Sequence, residues 1–504
     1  MISLLNSIDL GAPVAEQDNR LYEARIETGA FTDLFTDRVD IIPGTKGSGK
    51  TALYRLVSEF RKPLLLQTGT VILTGVEAAG DPVFQAFKQK FESLSEMEFE
   101  NFWRVYFVAL ILEHFIKNEE HKALLKNAQP QVKHFIERCR IAYIPEINNS
   151  VSLRDLAEAV LKRIKLKLFN YEQATDGASV TLLSVEPSDS ETKPTTGEQG
   201  HAPIFLNEIH ASLLKVLTVA GVKIWIMLDR LDEVFPRRTK LERTALRALL
   251  RTTRNFPSYS IRIKLFLRDD IFESVLLGKD GFTALSHIEA RKAPTLSWGK
   301  KELQLLIVKR FAANARIRAA YGINARQIAD NDMQCADEVF NKMFSAQVAT
   351  GKNQTNTLQW ICNHCQDGRG VITPRDVIDL LEFAIKAQVM NLRRGASLTP
   401  AIIGPQAFKD ALVELSKKKC RTYLEAEFPE FWPSIKKFEN SKAEHCDKTL
   451  QRLLGDKWAD VVEDLTAIGF IQKRPLKNAY VIPFIFRAGL NIRQGKASQN
   501  NHHV

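Results

Sequence analysis

The chain has 504 residues, of which 45% are hydrophobic and 26% charged, and its formal net charge is +11. This length exceeds one ordinary core, so two to four domains are expected. The start lacks the pattern of a secretion signal, the longest apolar run, Val105 to Leu112, is too short to span a bilayer, and six cysteines do not form a disulfide framework. These features argue against secreted and membrane-spanning classes and favour a reduced, cytoplasmic protein.

The excess of basic residues favours an anionic partner such as nucleic acid. The alternative is a solubility feature, since an excess of this size spread over 504 residues often has no other role.

The first predicted elements lead into a glycine-rich loop. A short helix is expected over Thr28–Phe35 and a buried strand over Val39–Ile42, and a helix is expected to begin at Thr51. Between strand and helix lies a complete GxxxxGK(S/T) phosphate loop, made of Gly44, Thr45, Lys46, Gly47, Ser48, Gly49, Lys50 and Thr51. Strand, loop and helix in this order are the context in which the motif binds phosphate.

Each part of the loop has a physical role. The glycines allow backbone N–H groups to turn toward an anionic phosphate, and the helix start adds its positive dipole end. Lys50 is expected to reach the β- and γ-phosphates, and the Thr51 hydroxyl to hold Mg²⁺.

A long segment separates this loop from the next phosphate-site element. A second strand is predicted over Pro63–Thr68, helices over about 80–170, and a loop or disordered excursion over about 173–203, where Ser, Thr, Pro, Gly and acidic residues dominate. Since about 180 residues far exceed one crossover connection, a helical insertion over about 80–205 within the nucleotide domain is expected.

An apolar strand, Val222–Leu228, ends in the acidic run Asp229-Arg230-Leu231-Asp232-Glu233. Carboxylates at the carboxyl end of a buried parallel strand lie where open α/β sheets bind ligands. Asp229 is therefore predicted to hold Mg²⁺, directly or through water, and Asp232 or Glu233 to orient the attacking water.

The next helix, about Lys240 to Arg254, has a stripe of arginines on one face. The stripe is either a solvated face or a contact surface for nucleic acid or a neighbouring subunit; its members are Arg243, Arg247, Arg251 and Arg254. The strand Ile261–Leu267 follows and ends in Arg268, which either senses nucleotide or pairs with Asp269 or Asp270. Another short strand is predicted near His287–Lys292.

The remainder is predicted to be mainly helical. Thr373 caps a helix that starts at Pro374, with Asp376 three residues after the cap, so Arg375 lies in the first turn. From about 404 to 495, two helices precede a small hairpin around the basic turn Lys473–Asn478. This order is typical of a winged helix with the turn as its wing, used for nucleic acid or for packing and protein contact.

Taken together, these motifs resemble the AAA+/STAND superfamily of P-loop ATPases. The Asp229–Glu233 run resembles the STAND and NACHT version of the second motif, in which a small residue usually replaces Arg230, and the carboxyl-terminal winged helix is more similar to the Orc/Cdc6-like ATPases. A group of bacterial P-loop ATPases, some found near anti-phage defence genes, combines these traits. The resemblance implies ATP as nucleotide, Arg268 as first sensor, Arg375 as candidate second sensor, and Arg291 as the residue to consider as an arginine finger.

The sequence thus predicts an α/β P-loop NTPase sheet with a helical insertion (1–298), a helical lid (299–400) and a winged-helix domain (401–504). We expect a Mg²⁺- and ATP-dependent switch that forms a homo-oligomer and associates with nucleic acid, in bacterial antiviral defence through a separate effector protein. The alternatives are an Orc/Cdc6-like DNA-binding initiator or loader, and a protein-interaction scaffold with little turnover.

Overall fold

The computed structural model of the chain describes residues 1–75, 95–117, 123–141, 165–171, 180–186, 206–233, 239–256, 258–276, 282, 285–324, 326, 328, 331–397, 400–474 and 479–497. The chain forms two compact units. The sheet unit contains residues 29–45 and 50–296, and the carboxyl-terminal unit contains residues 1–28, 46–49 and 297–504. The predicted three-domain division remains a prediction.

The strands of the described residues are β1 (Ile41–Gly44), β2 (Thr70–Gly75), β3 (Lys165–Tyr171), β4 (Val180–Glu186), β5 (Lys223–Leu228), β6 (Ile261–Arg268), β7 (Lys442–His445), β8 (Gln472–Arg474), β9 (Ala479–Val481) and β10 (Arg493–Lys496). The α-helices of the same residues are α1 (Ile2–Leu5), α2 (Gly29–Phe35), α3 (Lys50–Arg55), α4 (Lys62–Gln67), α5 (Glu96–Lys117), α6 (Gln129–Ile141), α7 (Leu206–Ala220), α8 (Lys240–Asn255), α9 (Asp269–Leu276), α10 (Leu285–Glu289), α11 (Lys300–Ala312), α12 (Ala315–Tyr321), α13 (Met333–Met343), α14 (Thr357–Cys365), α15 (Pro374–Arg393), α16 (Pro405–Lys419), α17 (Trp432–Lys436), α18 (Asp447–Leu454), α19 (Trp458–Ala467) and α20 (Phe484–Arg487). None of these helices is long and apolar enough to cross a membrane.

The sheet unit is built on a parallel four-stranded sheet in the order β1-β6-β5-β2. β5 and β6 are almost continuously buried, as expected for parallel strands covered on both faces. Because all four strands run the same way, their carboxyl ends share one edge, where Gly44 pairs with Arg268 and Gly75 with Leu228. With the glycine-rich loop following β1 at this edge, the unit has the predicted α/β fold of a P-loop NTPase.

Two predicted strands were wrong. The segment Pro63–Thr68 lies mostly in helix α4, with Pro63 in its first turn, where its missing N–H costs no hydrogen bond; the strand is β2, which follows it. Near His287–Lys292 the chain instead forms helix α10 and then isolated parallel bridges from Lys292 to Ile41 and from Leu296 to Gly44.

The insertion combines confirmed and corrected elements. Helix α5 is buried on nearly every side, and its Trp103 Nε1 donates to the Ala245 carbonyl of α8 at 2.9 Å. In contrast, β3 and β4 form an antiparallel pair, so the prediction of helix up to about 170 and of an excursion over 173–203 was wrong for these two segments. Much of the rest of the predicted insertion lies outside the described residues.

A buried ion network lies at the opposite, amino-terminal edge of the sheet. Lys264, which is 0% exposed, donates from Nζ to the Val39 carbonyl at 2.7 Å, to Asp40 at 2.8 Å and to Asp37 at 2.5 Å. Arg291 pairs with the same two carboxylates. The residue considered as an arginine finger is thus part of this network.

The carboxyl-terminal unit confirms the marked helix start. The Thr373 hydroxyl accepts from the Asp376 N–H at 3.2 Å and donates to the Asp376 carboxylate at 2.7 Å. The first bond satisfies the Asp376 N–H, which the first turn of α15 would otherwise leave unpaired, and the second orients the capping hydroxyl.

The same unit contains a small four-stranded sheet in the order β10-β7-β9-β8. Helices α18 and α19 precede β8 and β9, in the predicted order of two helices and a hairpin, and Gly469 adopts a φ of 79° just after α19. Residues 475–478 of the expected wing lie outside the described residues.

Candidate nucleotide site

The phosphate loop joins the end of β1 at Gly44 to the start of α3 at Lys50. Gly47 and Gly49 have φ angles of +85° and +100°, a left-handed region that side chains with a Cβ rarely adopt. The intervening Ser48 is buried, as is Thr45. The glycines therefore supply the backbone turn that the sequence pattern predicts.

The Lys50 side chain reaches back to the main chain at the end of β1. Its Nζ donates to the carbonyls of Gly44 at 2.7 Å and Thr45 at 3.0 Å. Burial lowers the pKa of the Lys50 ammonium, while the nearby Asp232 and Asp229 carboxylates act in the opposite direction. The ammonium is thus desolvated, close to negative charge, and hydrogen-bonded to main-chain oxygens.

Asp229 follows β5 and is 6% exposed. Burial raises the pKa of its carboxyl to about 6, although hydrogen bonds from the Thr51 hydroxyl and the Arg230 N–H, and the charge of Lys50, all lower it. Among the described residues no hydrogen-bond partner reaches the Asp229 Oδ2 atom. A desolvated carboxylate with one unpartnered oxygen beside a threonine hydroxyl is a donor set suited to a hard cation.

The two remaining acidic residues of the run point to different partners. Asp232 lies 3.7 Å from an Arg268 guanidinium nitrogen and acts electrostatically on Lys50. Glu233 is paired with Arg230, whose Nε donates to it at 2.9 Å. Arg230 has a φ of 58°, an uncommon conformation for a residue with a side chain. Asp232 therefore faces the lysine, and Glu233 is held by the arginine.

Arg268 lies at the end of β6, the strand next to β1, and is buried. It donates from Nε and Nη2 to the Asp270 carboxylate at 3.0 and 2.8 Å. Its charge also acts on Lys50. Both predicted roles thus remain open: the arginine pairs with an aspartate and also stands near the phosphate-loop lysine.

The tip of the loop, residues 46–49, contacts the rest of the carboxyl-terminal unit. Lys46 forms a salt bridge with Glu427, whose side chain is 6% exposed. The Trp298 Nε1 donates to the Ser48 carbonyl at 2.8 Å. A Cβ added to Gly47 would lie 3.3 Å from the Thr373 hydroxyl and 3.2 Å from Arg375 Cβ, so the start of α15 packs directly on the loop.

Arg375 is placed beside this tip. Its Nε donates to the Pro13 carbonyl at 3.3 Å, and its side chain lines a cavity of about 200 Å³ together with Lys46, Lys418 and Lys419. Lys418 and Lys419 are each bound to an aspartate of α15 at 2.7 Å. The candidate second sensor therefore lies next to the loop glycine within its own unit.

Two of the four arginines in the stripe of α8 make internal contacts, whereas Arg254 is exposed. Arg247 and Arg251 both pair with Glu96 at the start of α5, and both lie 5.0 Å from the Phe282 ring. Arg247 is buried. These two arginines hold the insertion helix to the sheet unit.

The residues present fit a magnesium nucleotide. Gly47 and Gly49 adopt the left-handed backbone angles of a phosphate loop, the Lys50 ammonium is desolvated near Asp229 and Asp232, and Asp229 keeps an oxygen without a hydrogen-bond partner among the described residues. Thr51 and Asp229 would hold Mg²⁺, and Lys50 would face the phosphates.

Sequence reasoning missed the groups that hold the loop tip. Glu427 and Trp298 belong to no motif and lie 381 and 250 residues from their loop partners. An isolated glutamate or tryptophan in a helical region carries no signal of such a contact.

No protein-family model matches the sequence, and no curated protein matches it. Among solved structures, a Walker-type ATPase of Pyrococcus abyssi is 11% identical, with 97% of this chain and 100% of that chain covered and a TM-score of 0.39. The Aeropyrum pernix ORC2 protein, solved as ADPNP-ADP complexes, is 14% identical, with 94% and 97% covered and a TM-score of 0.38. The Aeropyrum pernix ORC1 protein in complex with DNA is 11% identical, with 97% and 95% covered and a TM-score of 0.32. Similarity this remote assigns no function to the chain.

Proposed function

We propose that the protein binds and hydrolyses ATP with Mg²⁺ and uses the nucleotide to control its conformation and assembly. The observation that carries this proposal is the hydrogen bond of the Thr51 hydroxyl to the buried Asp229 carboxylate, close to the Lys50 ammonium and next in sequence to a loop with two glycines of positive φ. A carboxylate with a raised pKa and an unpartnered oxygen is costly to keep ionised, and a bound cation removes that cost.

Each residue has a distinct part in this mechanism. Backbone N–H groups of residues 44–51 surround the phosphates, and Lys50 leaves its two carbonyl partners to neutralise phosphate charge. Mg²⁺, when bound, would stabilise negative charge on the phosphate oxygens, held by Thr51 and Asp229. Arg268 serves as the first sensor, and Arg375 as the second.

Asp232 is the residue we propose to orient the attacking water. It lies near Lys50 and Arg268, whereas Glu233 is engaged by Arg230. A carboxylate that accepts a hydrogen bond from water needs a free lone pair directed toward the phosphate, so the pairing of Glu233 disfavours it for this role.

The loop tip supplies a route for the switch. Residues 46–49 contact Glu427, Trp298 and the start of α15. A change in the conformation of these residues would therefore alter their contacts within the carboxyl-terminal unit. A nucleotide shifts such an equilibrium only if it binds the two states with different affinity, and contacts of the γ-phosphate with the loop would provide that difference.

The finer biological role rests on the sequence resemblance. We propose a homo-oligomeric ATPase with a lid at 299–400 and a winged helix at 401–504, associated with nucleic acid and acting in antiviral defence with a separate effector. A DNA-binding initiator or loader is the alternative, and a scaffold with little turnover is another. Turnover stimulated several-fold by DNA or RNA favours the first role, and DNA binding without stimulation favours the second.

The central experiment is Lys50→Ala, with Lys240→Ala as a control that removes an exposed lysine of the same unit. We expect Lys50→Ala to weaken Mg-ATP binding by about 100-fold or more in calorimetry, since it removes the one ammonium behind the loop. The control should bind normally. Unchanged ATP affinity of a folded Lys50→Ala protein would refute the proposal.

A second experiment separates the two acidic residues. Asp232→Asn should lower turnover by about 100-fold with little change in ATP affinity, and Glu233→Gln by less than about 5-fold. The reverse order would transfer the water-orienting role to Glu233.

A further inference from the structure

The small sheet of the carboxyl-terminal unit has two faces of different chemistry. Across β9, Tyr480 pairs with His445 on one side and Lys473 on the other, so these residues share a face. The Trp458 ring of α19 packs on Tyr480, with ring centroids 6.4 Å apart. On this face Tyr480 therefore lies against α19, while Lys473 at the edge of the sheet is exposed.

The opposite face is basic. Val481 pairs with Glu444, and Ala479 with Arg474, which puts Arg474 on the face away from α19. Lys442 lies two residues before Glu444 and so shares that face, and Arg493 pairs with Lys442.

An irregularity in the pairing of β10 with β7 adds a fourth cation. The four residues Arg493 to Lys496 of β10 lie opposite the three residues Lys442 to Glu444 of β7, since Arg493 pairs with Lys442 and Lys496 with Glu444. Such a bulge puts Arg493 and Lys496 on one face, where a regular strand would put them on opposite faces. The contact of Lys496 with Glu444 at 3.5 Å confirms the placement. We call these four residues, Lys442, Arg474, Arg493 and Lys496, the basic sheet face.

Helix α19 has the opposite charge. Its exposed ionisable residues are Asp460, Glu463 and Asp464, and the helix contains no lysine or arginine. It occupies the position of the second helix of a helix-turn-helix, the one that usually enters the major groove. Three exposed carboxylates are repelled by the phosphates that line the groove, at about one charge per 1.7 Å of duplex.

We propose that the basic sheet face, and not α19, is the surface that binds the phosphate backbone of a nucleic-acid duplex. This inference rests on the nucleic-acid association included in the proposed function. Four cations against one carboxylate, with three of the cations exposed, match a row of phosphates in charge. Contacts of this kind fix position without reading sequence, so binding is sequence-independent.

The test uses the full-length protein and a fluorescein-labelled DNA duplex of random sequence, titrated by anisotropy at several salt concentrations. The sheet variant Arg474→Gln, Arg493→Gln, Lys496→Gln should lose affinity on the order of 100-fold near 0.1 M salt. It should also flatten the slope of log K against log salt by about 2.7, at about 0.9 per phosphate contact.

Two matched variants complete the design. The control Lys301→Gln, Lys342→Gln, Lys352→Gln makes the same change in net charge at exposed positions of the same unit. It should leave the affinity for the duplex within about 3-fold of the parent, because salt screens the long-range effect of net charge. The helix variant Asp460→Asn, Glu463→Gln, Asp464→Asn should bind as tightly as the parent or more tightly, because it removes repulsion.

The possible outcomes test the duplex-binding inference separately from the ATPase proposal. Loss of binding in the helix variant, or normal binding in the sheet variant, would overturn the inference, as would absence of duplex binding at 50 mM salt. ATP affinity is measured on every variant, so a failure of the duplex experiment with normal ATP binding leaves the ATPase proposal standing. Conversely, Lys50→Ala without ATP affinity but with normal duplex binding would retain the inference about the sheet face.

Discussion

Each of the two edges of the parallel sheet has a desolvated lysine ammonium, and the two ammonium groups have different hydrogen-bond partners. At the amino-terminal edge, Lys264 donates to two carboxylates and one carbonyl, with its ammonium 4.6 Å from the Trp225 ring. At the carboxyl-terminal edge, the hydrogen bonds of Lys50 within the described chain go to two carbonyls and to no carboxylate.

The buried carboxylates at the two edges, Asp40 and Asp229, also differ in their partners. Asp40 is bound by Lys264 and Arg291, whereas Asp229 keeps an oxygen that accepts no hydrogen bond from any described residue. A network whose charges compensate one another holds the fold. A set of charges left partly uncompensated is available to a ligand, and it reduces stability until the ligand binds.

The largest effect is expected at the compensated edge. Lys264→Met leaves the buried Asp40 and the partly buried Asp37 with less compensating charge, and we expect it to lower the free energy of unfolding by about 3–5 kcal/mol. Urea denaturation measures this, with Lys223→Met on the neighbouring strand as the control, where the ammonium lies 4.5 Å from the ring of the exposed Tyr259 and 3.5 Å from its hydroxyl. A loss below about 1 kcal/mol would remove the contrast between the two edges.

The next largest effect is an increase in the free energy of unfolding, expected at Asp229. Because the folded pKa of Asp229 is about 6 and its ordinary value is 3.8, folding favours the protonated acid, and stability falls as pH rises from about 4 to 6. Asp229→Asn removes this titration, so without nucleotide it should be more stable than the parent by up to about 3 kcal/mol above pH 6. The gain should vanish near pH 4, and a gain that persists there would show that ionisation is not its cause.

The smallest effect tests Arg291. Its side chain is one-third exposed, so Arg291→Gln should lower the free energy of unfolding by about 1 kcal/mol. ATP turnover should not change, because this arginine serves the compensated edge. A tenfold loss of turnover in a normally stable variant would instead support the arginine-finger hypothesis.

The sequence was most informative where structure is set locally. Two glycines fix the backbone of the phosphate loop, and apolar continuity identified β5 and β6, after which Asp229 and Arg268 follow at one edge. The capped start of α15 was equally clear, because Thr373 and Asp376 satisfy each other within one turn.

Prediction failed where neighbouring signals compete or where partners are distant. The apolar runs at 63–68 and 70–75 have similar periodicity, so periodicity does not tell the helix from the strand. In the structure, Pro63 lies in the first turn of the helix, and Gly69, with a positive φ, separates the helix from the strand. The partner of Lys46 is a glutamate 381 residues away. Such a pairing depends on tertiary packing and cannot be predicted from the spacing of residues along the sequence.

The indole that donates to the Ser48 carbonyl has a practical consequence. Indole emission depends on the polarity and hydrogen bonding around the ring, and Trp298 is one of only six tryptophans in the chain. Its fluorescence should therefore serve as a built-in optical reporter of the loop, and subtracting the spectrum of a Trp298→Phe protein would isolate it. Ligand arrival could then be followed in a stopped-flow instrument, without a dye and without waiting for hydrolysis.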